Sequence, residues 1–185
     1  MAWIVGVGIS DIGAPLGRPT EQLLRQAFEQ ALEDAGGLTC AHVGAFLSCP
    51  AVADGQVFMS AHRVATALGI LPSAKAPICR SVDAGGATPV LLVGDAMNLV
   101  QNVLNRNQVA CVLIGDAAAS IPLSDLVKLM TSEGKAIPIP LLYDMVAKWH
   151  QKTYGTTREQ FAMTSSVMSQ HASHTGQGNS EPWNF

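Results

Sequence analysis

Three apolar runs, at residues 3–9, 43–49 and 109–114, and a short stretch at 78–82 that reads as a buried strand alternate with stretches whose apolar positions recur at helical spacing. A run without polar alternation reads as a strand covered on both faces. After the first run, Leu23, Leu24, Ala27, Phe28, Ala31, Leu32 and Ala35 line one side of a helix, opposite Glu21, Arg25, Glu29 and Glu33. Thr20 is its expected N-cap and Gly36-Gly37 its stop. A second helix is expected over 57–68, ended by Gly69. A third follows the Gly85-Gly86 turn, is apolar on nearly every side, and is broken by Asn105, Arg106 and Asn107. The order β-α-β-α-β-α-β predicts an α/β sheet layered between helices.

The character changes after Ala119. A short helix is expected at 123–130, a break at Pro138 and Pro140, then a helical stripe of Leu141, Leu142, Met145, Val146 and Trp149. Thr156 or Thr157 can cap the next helix, with Glu159 or Gln160 as capping-box partner, and that helix carries Phe161, Ser165, Met168 and Ala172. The expected organisation is an α/β domain over 1–119, a helical segment over 120–174 and a flexible tail over 175–185.

Apolar residues make up 48% of the chain and charged residues 14%, a balance that favours burial against a partner or a second copy. Net charge is −3 and the 11 Lys and Arg form no basic run, which excludes a nucleic-acid footprint. Asp95 and Asn98 interrupt the longest apolar run, so no membrane span is expected. The first run lacks the charged start of a signal peptide and reads as a strand. A cytoplasmic location is expected, and a peroxisomal or mitochondrial one is also compatible. Cys40, Cys49, Cys79 and Cys111 have no CxxC or Cys/His spacing and read as free thiols, without a metal site.

Gly6-x-Gly8 is not a dinucleotide fingerprint, because Asp11 stands at the third glycine position and Pro15 and Pro19 follow. The candidate binding residues are Gly85, Gly86, Ala87 and Thr88, at a strand-to-helix turn where backbone N–H groups can face an anion or a carbonyl oxygen. A plain tight turn accounts for the glycines equally well. Asp95 and Asn98 read as hydrogen-bonded core groups before catalytic ones, and His150, His171 and His174 as solvated side chains before metal ligands. Tyr154 reads as loop packing before a proton donor. Met130, Met145, Met163 and Met168 are expected to fill core and interface gaps, or to line an acyl groove.

Taken together, the opening IVGVGISDIG, the helix ending EDAGG, the turn SVDAGGATPV, the strand VACVLIGDAA and the segment YDMVAKWHQKTYGTTREQFA resemble the N-terminal half of a thiolase-superfamily protein. The branch is the sterol-carrier/lipid-transfer one, and the likeness runs to about His174. The resemblance implies a mixed sheet of strand order 3-2-4-5-1, part of a helical loop domain, and two such halves packed in a five-layer fold that dimerises. It also implies coenzyme A thioesters as substrate or ligand, with no bound cofactor. The family's acyl-carrying cysteine falls at Gly86, so no catalytic residue is assigned. Family members without that cysteine include retro-aldolases that cleave β-hydroxyacyl-CoA beside a zinc-ribbon/OB-fold partner. The expected partners are therefore acyl-CoA and a homo- or hetero-oligomer completed by a separate C-terminal half or such a protein. An enzyme, acyltransferase or aldolase-type lyase, is expected only once that half is supplied. The other readings are a non-catalytic acyl-CoA- or lipid-binding or structural partner, and an inactive truncated acetyltransferase-like fragment.

Overall fold

Three strands pair in parallel, in the order β2-β1-β3, in the computed structural model, which describes residues 1–12, 17–55, 58–73, 75–131 and 139–175. They are β1 (Val43–Ser48), β2 (Ile78–Ser81) and β3 (Val109–Leu113). Counted as the sequence predicts them, with 3–9 first, these are the third, second and fourth strands, adjacent as the resemblance implies. The described strands are all parallel, so the antiparallel member of a mixed sheet is not among them.

Side chains of β1 alternate between two cores. Val43 and Phe46 pack under α1 (Thr20–Asp34) and α2 (Ser60–Ala67), with Leu24, Phe28, Ala61 and Ala65. Ala45 and Leu47 face the other way, onto Leu92 and Leu99 of α3 (Thr88–Asn102). Every residue of β1 is buried, which is why its sequence carries no polar alternation. Phe46 and Leu47 are fully enclosed, each contributing about 1.5–3 kcal/mol of burial.

The expected first strand is the largest correction. Residues 3–9 join no sheet and lie against α1 instead. The Val7 N–H donates to Asp34 Oδ2 at 2.9 Å and the Ile9 N–H to Gln30 Oε1 at 3.2 Å. Gly6 and Gly8 sit so close to α1 that a Cβ on either would run into the carbonyl oxygens of Ala31 and Ala27. Gly-x-Gly is thus matched to the Ala27, Ala31, Ala35 ridge. Trp3, Ile4, Val5 and Val7 remain exposed.

Other expectations shift locally. Pro19, not Thr20, is the N-cap of α1, and Thr20 is the buried first helical residue. Gly36 and Gly37, both at positive φ, close that helix as predicted. The second helix begins at Ser60, after Met59 in the left-handed region, and Val57 lies outside the described residues. The third helix is buried on one side only: Val90 is 76% exposed and Met97 47%.

The chain divides into two compact units, one of Met1–Ser10 with Gly17–Ser120, the other holding Ile121–Phe185 with Asp11–Leu16. The second unit contains α4 (Leu123–Thr131), α5 (Ile139–Tyr154) and α6 (Arg158–His174). Thr157 caps α6: its hydroxyl accepts the Gln160 N–H at 3.2 Å, and the Gln160 side chain takes the Thr157 N–H at 2.8 Å. Met145, Met163 and Met168 are exposed rather than core-filling. Pro138 and the tail after Thr175 lie outside the described residues. No described helix is long and apolar enough to cross a membrane.

Candidate functional site

The loop after β1 leads to α2 on the Phe46 face, whereas the turn after β2 leads to α3 on the opposite face. Adjacent loops that leave a parallel sheet on opposite sides open a crevice at the strands' carboxyl ends, where α/β sheets bind ligands. The Gly85-Gly86 turn follows β2 and Cys49 follows β1, so both lie at that end of the sheet.

The turn is a short 3-10 segment, Gly85–Ala87, fastened from both ends. Asp83 Oδ1 accepts the Gly85 N–H at 3.0 Å, and the buried Thr88 hydroxyl accepts the Ala84 N–H at 2.8 Å. The Ala87 N–H reaches back to the Ala84 carbonyl at 3.2 Å. Gly85 stands at φ +56°, a conformation that favours glycine. Gly86 does not, and a Cβ there would meet nothing within 4 Å. The fold therefore has room for a side chain at residue 86. Among the described residues the Gly86 N–H has no partner, leaving an exposed donor near the start of α3. Of the four predicted residues, Gly85, Gly86 and Ala87 are exposed at the crevice, while Thr88 points inward and braces it.

Of the four cysteines, the thiol that feels the turn is Cys49, through Asp83. Burial pushes its pKa up, and the carboxylates of Asp83 and then Asp116 push it further. Burial also raises Cys79, and burial followed by the neighbouring Cys40 takes Cys111 up to about 12. All four cysteines are free. A thiol held protonated is a poor nucleophile, so none of the three raised cysteines is poised for attack.

Asp116, at the carboxyl end of β3, escaped the sequence reading. Its two oxygens accept the N–H groups of Val52, at 2.6 Å, and Ala53, at 3.0 Å. It thereby clamps the loop after β1. Behind that loop a cleft of about 100 Å³ is lined by Cys49, Ser60, Arg63, Glu21 and Asp54 among others. The only signal in the sequence was an acidic residue directly after a strand-ending glycine.

The remaining candidates separate. Asp95 pairs with Arg80 of β2 at 3.2 Å, and exposed Asn98 accepts the Asn102 side-chain amide at 2.6 Å, so Asn98 is not a core group. In the second unit His150 packs on Tyr154, ring centres 4.7 Å apart, and on Phe161 at 5.6 Å. Its buried Nδ1 has no described partner. Tyr154 also meets Trp149 edge-on at 5.8 Å, the packing role expected of it. His171 and His174 are exposed on α6.

A parallel sheet with helices on both faces and its glycine turn at the strands' carboxyl ends defines the chain as a layered α/β protein. No protein-family model and no curated protein matches the sequence. A solved structure described as the Ltp2-ChsH2(DUF35) aldolase is similar to it, with a TM-score of 0.65 and 19% sequence identity. The likeness is one of fold. It covers 98% of this chain and 46% of the aldolase chain, so the sequence spans less than half of that protein's length.

Proposed function

We propose that this chain is the N-terminal half of a thiolase-like assembly that handles coenzyme A thioesters and cleaves a carbon–carbon bond in retro-aldol fashion, in lipid or steroid breakdown. The observation that carries the reading is Gly86: the strand-turn-helix geometry is kept, the space for a side chain is kept, and the nucleophile is absent. Chemistry through a covalent acyl-enzyme needs that nucleophile. Retro-aldol cleavage of a β-hydroxyacyl thioester does not. It needs a base for the hydroxyl proton and stabilisation of the enolate that leaves on the thioester carbonyl. The Gly86 N–H supplies one donor for that oxygen, and the base comes from a C-terminal half. The fold likeness to a protein described as an aldolase supports the same reading.

The test is cleavage of β-hydroxyacyl-CoA by the chain alone and together with the product of the neighbouring reading frame or a zinc-ribbon/OB-fold protein encoded nearby. Activity only in the combined sample is expected. Thiolysis of acetoacetyl-CoA by the chain alone would overturn the reading. The second reading is an acyl-CoA-binding or structural partner without chemistry, favoured by a turn whose exposed residues, Gly85, Gly86 and Ala87, carry no reactive side chain. It predicts thioester binding with no turnover in either sample.

A further inference from the structure

We infer that Phe58 and Met59 form an apolar lip at the carboxyl end of the sheet that receives the acyl chain of a coenzyme A thioester, an assignment that rests on the thioester reading proposed above. Met59 breaks two local rules at once. It is the N-cap of α2, where a Ser, Thr, Asp or Asn side chain would take a first-turn N–H, and its own side chain makes no cap hydrogen bond. It also stands at φ +53°, a left-handed conformation that disfavours a residue with a Cβ. Burial does not offset either departure: Met59 is 47% exposed and Phe58, beside it, 82%. Two large apolar side chains held in water by a strained backbone serve a binding surface, not the fold.

The lip is fixed, and fixed beside the turn. The Ser60 hydroxyl, next in the chain after Met59, lies 2.8 Å from that of Ser81, and the Ser81 hydroxyl also accepts the Ala61 N–H at 2.9 Å. Ser81 ends β2, the Val82 N–H continues the pairing to the Ser48 carbonyl at 3.1 Å, and the Gly85-Gly86 turn follows. At the other end of the loop Asp116 holds the Val52 and Ala53 N–H groups. The loop is thereby pinned to the ends of both β2 and β3, and its apolar residues stand at the same end of the sheet as the Gly86 N–H. A thioester whose carbonyl oxygen meets that N–H carries an uncharged chain on the side away from sulfur. Neither Phe58 nor Met59 offers the charge or the donors that the coenzyme's phosphates need. Both suit a hydrocarbon chain, and the unbranched thioether of Met59 adapts to its shape.

The test is binding of acetyl-, butyryl- and octanoyl-CoA to the full chain by calorimetry, with acetyl-CoA as the reference for each protein. Octanoyl-CoA is expected to bind the parent at least about tenfold more tightly than acetyl-CoA, since each fully buried methylene is worth about fourfold. Phe58→Ser and Met59→Gly are each expected to cut that ratio to about threefold or less, because each removes apolar surface from the lip. Glycine is at ease at φ +53° and Phe58 is exposed, so both variants are expected to fold, which far-ultraviolet dichroism checks. If one variant fails to fold, the other decides. Equal affinity of the parent for all the thioesters, or folded variants that keep the parent's ratio, would overturn the lip and leave the thioester reading standing. A parent chain that binds no thioester would overturn both.

Discussion

Asp116 Oδ2 accepts the backbone N–H of Val52 at 2.6 Å, across 64 residues of sequence, so that the end of β3 holds the loop that follows β1. The second oxygen takes the Ala53 N–H, and the loop after Cys49 is fixed by one carboxylate. Asp116→Ala is expected to lower stability by about 2–3 kcal/mol, since hydrogen bonds to a charged group contribute more than neutral ones. Urea unfolding of parent and variant measures this, and an unchanged midpoint would show that the clamp is idle.

The Cys49 thiol is raised by burial, then Asp83, then Asp116. Removing either carboxylate lowers its pKa and increases the thiolate fraction. Asp83→Asn is therefore expected to speed labelling of Cys49 by a disulfide reagent at pH 8, with peptide mapping to identify the site. Equal labelling rates would mean that Asp83 does not act on this thiol.

Cys111 imposes a pH limit. Its thiol rises from 9.0 in the open chain to about 12 in the fold. A folded pKa above the unfolded one stabilises fully below the unfolded value and fades as pH climbs through the folded value. Stability should fall between about pH 9 and 12, by up to about 1.4 kcal/mol per pH unit from this group. Cys111→Ala should flatten that part of the profile in thermal melts, and an identical slope would contradict the assignment.

At the turn, two adjacent glycines should respond unequally. Gly86→Cys meets open space and is expected to change stability by less than about 0.5 kcal/mol. Gly85→Ala forces a side chain onto φ +56° and is expected to cost about 1 kcal/mol. Denaturant midpoints of the two variants, compared with the parent, separate them; equal losses would mean the turn is not the geometry described.

Gly8→Ala would drive a methyl into the Ala27 carbonyl on α1. The expected result is release of the N-terminal segment, read as faster thermolysin cleavage within residues 4–9 with the rest of the domain intact. Cleavage at the parent rate would show that the segment tolerates a side chain there.

Much of the α/β unit was legible because its signals are local. The apolar run VGAFLS has no polar alternation and became a strand buried at every position. The stripe from Leu24 to Phe28 became the inner face of α1. Thr157 and Gln160 announced their capping box by spacing alone. What failed depended on contacts between distant residues. Residues 3–9 look like a strand, but a strand needs a neighbour's hydrogen bonds, and here Asp34 and Gln30 take the Val7 and Ile9 N–H groups instead. Composition could not reveal that α3 spends only one apolar side on the sheet. The turn at Gly85, Gly86, Ala87 and Thr88 was legible as a position; that Thr88 braces it from within, and that Asp83 there acts on Cys49, became visible only in three dimensions.

Ser81, the last residue of β2, supplies the first turn of α2 with its acceptor: its hydroxyl takes the Ala61 N–H at 2.9 Å and meets the Ser60 hydroxyl at 2.8 Å. A helix as short as Ser60–Ala67 is not stable in isolation. Its start is secured by a residue that follows it in the chain and reaches it only when β2 has aligned beside β1. The expected order of folding therefore has α2 arriving late, after a non-local strand pairing. Weakening Ser81 should leave the refolding rate nearly untouched while quickening the unfolding of the domain.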